Sequence, residues 1–466
     1  MNASSPATAA ASKSPASDLF DQSALGDLAE RLVEAAKRAG ADAADAVAVR
    51  GMSQSVVVRD GRVEESERSE GDDVGLRVIV GRRQAVVSTN DVAAGDAAAR
   101  LAERAVAMAR VAPDDAFVGL ADPALLARDI PALDLLDPAM PSTADLERRA
   151  LEAEAAALAV TGVTKSGGAS ASCGIGGMVL VTSTGFHGAY LRSSQGLSTT
   201  AIAGQGTAME RDYDFTSAIH AADLEGPAVI GRRAGERAVK RLNPRKVATC
   251  KAPVLFDPRV SASLVGHLAG AVNGAAIARK TSFLKDRLGQ QLFDSSIRII
   301  DDPLRPRGVR SQPFDAEGVA VKRLALVDDG VLTSWLLDCA TARELGLVTT
   351  GHAHRGVSSS PSPGSYNMHM EPGHVTPKEL MADIGSGFYV TDLIGSGVNG
   401  VTGDYSRGAA GFWIENGELA YPVSEVTIAG HLIDIFKSLT PANDLVFRYG
   451  INAPTIRIEG LTIAGR

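Results

Sequence analysis

Histidines are the first residues to examine for chemistry, because clustered imidazoles can hold a metal ion. The chain has eight of them. None is followed directly by Glu, so an H-E-x-x-H helix is absent. Four lie within 352–374, at His352, His354, His369 and His374. Their short intervals do not match the spacing of strong metal ligands, and we interpret them as polar loop histidines that hydrogen-bond the backbone.

Two short motifs resemble binding or catalytic signatures. Residues 395–400 read GSGVNG, the glycine pattern of a dinucleotide site, but the following VTGDYSRGAAG is not the helix that such a site needs. We interpret this segment as a glycine-rich turn. Ser282 and Lys285 match S-x-x-K, in which a lysine one turn away activates a serine, but the companion S-D-N and K-T-G elements are missing.

Two pairs of charged residues are further candidates. Asp315 and Glu317 are neighbouring acids, although acid–base catalysis requires a geometry that spacing alone does not supply. Asp404 and Arg407, in GDYSRG, could grip the termini or the backbone of a peptide. They could equally form a local ion pair that fixes a glycine-rich turn, which is the interpretation we favour. None of these motifs defines a catalytic site by itself.

Composition excludes several classes of protein. At 466 residues, 45% of them hydrophobic, the chain can bury the cores of two domains. Its 47 basic and 55 acidic residues give a net charge of -8, which argues against a surface for nucleic acid. Cys173, Cys250 and Cys339 form no C-x-x-C pair, and no segment approaches the roughly 18–20 apolar residues of a membrane span. We therefore expect a soluble cytoplasmic protein.

Hydrophobic periodicity predicts the elements that must position these residues. A first helix begins near Leu25 and ends at Gly40. Further helices are predicted at about 91–111, 143–160, 223–242 and 258–275. Long antiparallel strands are predicted between 176 and 220, and hairpins turn at Asp60-Gly61, Asp329-Gly330 and Asn416-Gly417.

This pattern predicts an α+β protein with two domains. Residues 1–17 are interpreted as a disordered tail, and 18–245 as an N-terminal domain of mixed α/β content with an antiparallel sheet. Residues 250–466 form a β-rich domain that resembles a barrel or a sandwich. The junction is placed near 243–252, where Asn243-Pro244 ends the preceding helix.

Long segments in a fixed order resemble the TldD/PmbA family, and within it the PmbA (TldE) branch. The resemblance is dense over 250–466 and weaker over 20–245. The segments that carry it are VGHLAGAVNGAAIARKTSFLKDRLGQQLF at 265–293, QPFDAEGVAVKRLALVDDGVLTSWLLD at 312–338, ATARELGLVTTGHA at 340–353 and SGVNGVTGDYSRGAAGFWIENGELAYPVSEVTIAGHL at 396–432.

The resemblance also identifies which zinc-site residues of the TldD branch are replaced in this chain. The TldD branch holds zinc with an H-E-x-x-x-H helix and a later cysteine, and here Ala262 stands for the first ligand and Ser263 for the catalytic Glu. Only His267 is retained, and YGINAP at 449–454 carries no cysteine. One imidazole does not replace the three protein ligands of a catalytic zinc. We expect no catalytic residue and no metal site in this chain.

The resemblance implies a role in a complex. A PmbA-type chain pairs with a TldD-type chain, which holds the zinc, and the heterodimer degrades or trims unfolded peptides. We expect no cofactor in this chain, no nucleic acid or membrane partner, and a possible homodimer without the partner. His267, Asp404 and Arg407 are the candidate substrate-binding residues, and an extended peptide could add to a sheet edge.

Two alternatives remain open at this point. One is a protein-interaction module without proteolytic function, such as the gyrase-modulating role attached to the family's name. The other is an autonomous hydrolase that uses Ser282 and Lys285, or the histidine-rich segment 352–374. Cleavage by the isolated chain would be needed to support the second.

Overall fold

The computed structural model describes residues 21–91 and 96–465. The tail predicted at 1–17 lies outside these residues. Within them, no helix is both long enough and apolar enough to cross a membrane.

One antiparallel sheet organises the N-terminal half. Its spatial order is β3-β2-β1-β4-β5-β6. The strands are β1 Ala43–Arg59, β2 Arg62–Val80, β3 Arg83–Thr89, β4 Val163–Thr182, β5 His187–Ala203 and β6 Glu210–Ala218. The helices are α1 Ser23–Arg38, α2 Ala97–Val111, α3 Thr143–Leu158 and α4 Pro227–Lys240.

These four helices pack in two pairs against the sheet. The first pair, α1 and α2, covers small and branched side chains such as Ala46 and Leu76. The second pair, α3 and α4, covers Val56 and Leu197 further along the strands. Residues of opposite parity, such as Val47, contact Phe314 of the C-terminal half. The period of two in a strand thus gives the sheet a helix side and a side that meets the rest of the chain.

A closed barrel organises the C-terminal half. Five strands run in the order β16-β15-β14-β7-β19, and pairing of β16 with β19 closes the ring. Its strands are β7 Cys250–Phe256, β14 Ser386–Ile394, β15 Asp404–Glu415, β16 Glu418–His431 and β19 Ile456–Ala464, with β17 Thr440–Pro441 paired to β19. The predicted α+β class is confirmed, and the predicted barrel is present in the C-terminal half.

Short elements complete this half. The helices are α5 Pro258–Ala271, α6 Gly274–Ala278, α7 Cys339–Glu344, α8 Pro377–Met381 and α9 Leu432–Ser438. A second sheet has the order β10-β9-β8-β13-β18 and comprises β8 Ile299–Asp301, β9 Leu324–Asp328, β10 Val331–Leu332, β13 Met368–Met370 and β18 Ile451–Asn452. A small hairpin pairs β11 Ala353–His354 with β12 Ser362–Pro363.

All three predicted hairpins are confirmed. Asp60 and Gly61 have φ values of 52° and 73°, and Asn416 and Gly417 have 52° and 79°. Both central residues of each turn are therefore left-handed, which favours Asp or Asn followed by Gly. The buried Glu154 of α3 accepts hydrogen bonds from Asp60 N (2.9 Å) and Gly61 N (2.8 Å) and so fixes the first turn.

Candidate functional site

The helix α5 carries the positions at which the family resemblance places metal ligands. Asp257 caps it by accepting a hydrogen bond from Arg259 N at 3.0 Å, and Pro258 occupies the first helical position. The apolar side of α5 packs into the barrel core. Ser263 and His267 lie on the opposite, partly exposed side. The amphipathic pattern therefore leaves these two residues on the accessible side of the helix.

His267 packs against the start of β15. Its ring meets Tyr405 edge-on, with ring centroids 5.9 Å apart. Burial, and then the charge of Arg407, lower the pKa of His267 to about 4. The imidazole is therefore neutral at physiological pH.

Tyr405 and Arg407 complete a group that we call the α5–β15 cluster, defined as His267, Tyr405 and Arg407. The two β15 residues are two apart and so lie on the same face of the strand. Tyr405 is 1% exposed, and burial raises the pKa of its hydroxyl. Arg407 donates from Nη2 to Leu393 O over a long 3.4 Å. Two of the predicted site residues, His267 and Arg407, thus lie together. Their neighbour Tyr405 was not identified from the sequence.

These residues do not fit a zinc ion. Ala262 has no ligand atom, and Ser263 Oγ donates to Val260 O at 2.6 Å. The guanidinium of Arg407 adds a positive charge beside the remaining imidazole. Across the described residues, no group of three or more His, Cys, Asp or Glu side chains is arranged to hold a metal. The donor set at α5 is one neutral imidazole, which is insufficient for catalytic zinc.

Asp404 does not join the cluster. It is exposed and lies on the other face of β15, where its carboxylate accepts a hydrogen bond from Thr402 Oγ1 at 2.6 Å. The ion pair with Arg407 that we favoured is wrong for the structure described, since Asp404 and Arg407 have different partners. Residues three apart on a strand point to opposite faces, which explains the separation.

Ser282 is held in a structural role. Its Oγ donates to Ala271 O at 2.6 Å and accepts from Leu284 N at 3.0 Å, and the residue is 1% exposed. Lys285 is exposed to solvent. A serine nucleophile needs access to substrate and a base beside it, so this geometry argues against the S-x-x-K alternative.

The histidine-rich segment is divided between different environments. His352 and His354 are packed against Tyr366, with ring centroids 5.2 and 4.6 Å away. His369 packs on Phe447 instead, with centroids 5.0 Å apart. Nδ1 of His352 lies 2.8 Å from Thr350 O, which agrees with the predicted backbone bonding for this residue.

The GSGVNG segment is a turn, as predicted. It connects β14 to β15, and a strand follows it where a dinucleotide site would need a helix. Position 397 requires glycine, because a Cβ there would collide with the carbonyl oxygen of Ser406. Its backbone instead accepts a hydrogen bond from Ser406 N at 2.7 Å. The glycine serves close backbone contact rather than phosphate binding.

Asp315 and Glu317 lie in a buried ionic layer between the two halves. Asp315 accepts from Glu317 N at 2.9 Å and Val319 N at 2.8 Å, while Glu317 accepts from Cys339 N at 2.7 Å. Burial, and then the charge of Glu317, raise the pKa of Asp315 well above its usual range. Burial also raises the pKa of Glu317, although Arg77 opposes this.

The same layer contains an ion triplet that spacing did not reveal. Arg77 Nε donates to Asp45 Oδ2 at 2.8 Å, and Arg355 Nη1 donates to Asp45 Oδ1 from the C-terminal half. All three side chains are at most 4% exposed. Burial alone would raise the pKa of Asp45, but Arg355 and Arg77 outweigh it and hold the pKa below its usual value. We interpret this layer as the joint between the halves.

A groove also runs between the two halves. One section of about 530 Å³ is lined on one side by Asp212, Arg237 and Lys240 and on the other by barrel residues that include Tyr389 and Tyr421. It combines charged groups with aromatic faces, as ligand-binding clefts commonly do.

Three models of one protein family match most of the chain. The PmbA/TldA metallopeptidase domain 1 matches residues 44–109, the central domain matches 136–242, and the C-terminal domain matches 249–465. The two-domain division predicted from the sequence stays a prediction.

Individual relatives agree with the family models. The metalloprotease PmbA of Escherichia coli O157:H7 is 39% identical over 88% of this chain and 90% of its own length. The Haemophilus influenzae homologue of PmbA is 37% identical over 93% and 94%.

Solved structures share the fold. A Bacteroides thetaiotaomicron protein, described as a candidate modulator of DNA gyrase, superimposes with a TM-score of 0.87 at 28% identity, covering 94% of this chain and 98% of its own. TldE of Thermococcus kodakarensis does so with a TM-score of 0.84 at 20% identity, covering 94% and 100%, and supports the fold. The chain belongs to the PmbA/TldD metallopeptidase family, and within it to the PmbA/TldE branch.

Proposed function

We propose that this chain is the subunit without zinc of a TldD/TldE-type heterodimeric metalloprotease that degrades or trims unfolded peptides. The observation that carries the proposal is the composition of α5. The chain matches its family along most of its length, yet His267 stands with Ala262, Ser263 and Arg407 where a peptidase needs metal ligands and a carboxylate. Without that carboxylate, this helix has no group to deprotonate a metal-bound water.

An extended peptide is the substrate that the surfaces favour. β3 pairs with β2 only from Val74 onward, so within the part of the chain that the structure describes residues 62–73 of β2 pair with β1 alone. An open strand edge can bind a peptide through main-chain hydrogen bonds with little preference for sequence. The groove between the halves offers a second contact for the side chains of such a peptide.

Mixing the purified chain with the TldD-type protein of the same cell tests this proposal. Alone, the chain should leave an unfolded fluorescent peptide intact, and the mixture should cleave it as a complex containing both chains. A complex that forms without cleaving any unfolded peptide would contradict the proposal. The matched control is Lys285→Ala. It should leave the activity of the mixture unchanged, because this side chain is exposed and is not part of the proposed substrate-binding site.

A gyrase-modulating role is the second candidate. Its support is the description of the Bacteroides relative, which is 28% identical. The net charge of -8 favours contact with a protein over contact with DNA. A pull-down that recovers gyrase subunits but no TldD-type chain would favour this role over the first.

We place the protein in the cytoplasm. Its three cysteines are all free, and two of them are buried in the fold. The absence of disulfides among them fits a reducing compartment. We also propose that a homodimer can form in the absence of the partner, since paired branches with one fold have related interface surfaces.

A further inference from the structure

The α5–β15 cluster contains three buried polar atoms without a hydrogen-bond partner in the described part of the chain. They are His267 Nε2, Tyr405 OH and Arg407 Nε. A buried donor left unpaired costs about 1–3 kcal/mol. Native proteins rarely tolerate such an atom, and three in one place point to a bound group that satisfies them.

The three side chains meet beside α5. The His267 ring contacts the Tyr405 ring, and Tyr405 shares its face of β15 with Arg407. The charge of Arg407 adds to the effect of burial in lowering the pKa of His267, and it opposes the burial that raises the pKa of Tyr405, so all three share one electrostatic environment. Tyr405 is 1% exposed, whereas His267 and Arg407 are partly exposed. The three unpaired atoms are all buried, while other atoms of His267 and Arg407 lie at the surface beside them.

The neighbouring surface of α5 is built from small residues. Ala262, Ser263 and Gly266 precede His267 and are partly exposed. A Cβ at Gly266 would meet only Ile451 Cδ1, at 3.9 Å. This surface leaves room for a ligand chain to lie along the helix.

The donor set selects the chemistry of the ligand. Arg407 Nε–H and the Tyr405 hydroxyl donate, and neutral His267 can donate from Nε2. Their net charge is +1, which balances the single charge of a carboxylate. A phosphate dianion would leave one negative charge uncompensated. A metal cation would be repelled by the guanidinium. An oxygen acceptor with a single negative charge therefore suits these donors better than a dianion or a cation.

We propose that the α5–β15 cluster binds a carboxylate, and that the natural ligand is the C-terminal carboxylate of a peptide. The carboxylate site stands on the cluster alone. Its assignment to a peptide rests on the proposed function, because a peptide protease supplies such ends as substrates and products.

Histidine NMR on the isolated full-length chain tests the proposal. The protein is labelled at histidine Cε1, and His267→Gln assigns the signal of His267. N-acetyl-trialanine is titrated into the protein. Its C-terminal amide, N-acetyl-aspartyl amide, inorganic phosphate and Zn²⁺ are titrated in separate, parallel experiments. We expect the free acid to shift the His267 signal and to bind at least about tenfold more tightly than the amide or phosphate. The acid should also raise the pKa of His267, because it adds a negative charge beside the ring.

Substitutions identify the contacts. Arg407→Gln should weaken binding of the acid by at least about tenfold, and Tyr405→Phe by about three- to tenfold. Arg100→Gln, at an exposed position of α2, is the matched control and should bind like the natural chain. If Arg407→Gln does not fold, Arg407→Lys retains the charge, lacks the Nε–H donor, and should still bind more weakly.

Several results would overturn the proposal. Equal responses to acid and amide, unchanged binding by the Arg407 variants, or displacement of the peptide by Zn²⁺ would contradict the carboxylate site. Preferential binding of N-acetyl-aspartyl amide would contradict the peptide C-terminus as ligand. Because the partner chain is not needed, a failed cleavage assay with intact binding would reject the proposed function and leave the site standing.

Discussion

At the scale of single residues, burial decides which groups can hold charge. Burial, with a contribution from Arg407, lowers the pKa of His267 to about 4, and burial, with one from His352, lowers the pKa of His354 to about 4. Their ordinary value is 6.5. Both imidazoles are therefore neutral in the folded protein at pH values where the unfolded chain already binds protons on them.

This difference predicts a loss of stability in mild acid. Between about pH 6.5 and pH 4 the unfolded chain binds more protons, so the free energy of unfolding falls as pH falls. From pH 7 to pH 5 each imidazole should contribute a loss of about 1–2 kcal/mol. Urea unfolding measures it. His267→Gln should reduce the loss and the exposed His374→Gln should not, and equal pH slopes for both variants would contradict the assignment.

Ser282 gives a second test at this scale. Ser282→Ala removes the hydrogen bond to Ala271 O and should lower the free energy of unfolding by about 1 kcal/mol. Cleavage by the complex should persist at the same rate, because Ser282 is buried away from solvent. Stability is read from urea melts and activity from the peptide assay. Loss of cleavage in a folded, assembled variant would revive the serine mechanism.

At the scale of elements, local chemistry made the turns predictable. Asp60-Gly61 and Asn416-Gly417 specify left-handed turns through neighbouring residues alone. β4 was predicted to begin at about 176, but it begins at Val163, because its glycine-rich first half interrupts the apolar alternation and contains register shifts at 163–165 and 166–169. Short strands such as β8 and β18 depend on pairing with distant residues, which local patterns do not report.

Two glycines of the first hairpin allow the effect of a positive φ to be separated from the effect of steric room for a Cβ. A Cβ at Gly61 or at Gly71 would meet nothing within 4 Å, but only Gly61 has a positive φ, 73°. Gly61→Ala should therefore lower the free energy of unfolding by about 1–2 kcal/mol, whereas Gly71→Ala should have little effect or be slightly stabilising. Thermal melts of the two variants compare them directly. A similar loss in both would show that φ is not the cause.

At the scale of the whole molecule, distant contacts join the halves. Asp45 and Arg77 come from the N-terminal sheet and Arg355 from the C-terminal half, so only folding brings them together. The α5–β15 cluster has the same origin: His267 and Arg407 were candidates in the sequence, but Tyr405 became recognisable only as their neighbour. Residue types were therefore predictable where the family pattern constrained them, and their grouping was not.

The ion triplet predicts strong coupling between the halves. Arg355→Gln leaves Asp45 buried with one guanidinium in place of two, and should lower the free energy of unfolding by about 3–5 kcal/mol. Arg83→Gln removes the exposed pair with Asp114 and should leave the unfolding midpoint unchanged. Chemical unfolding followed by fluorescence measures both. An Arg355 variant as stable as the natural chain would show that the triplet does not hold the halves together.

The central claim is that α5 of this chain does not hold the catalytic zinc. Native mass spectrometry of the active complex, followed by separation of its subunits, locates the metal directly. We predict one zinc on the TldD-type chain and none on this chain, and the same result when Ala is placed at His267. Stoichiometric zinc on this chain that is lost in His267→Ala, together with the activity, would contradict the claim.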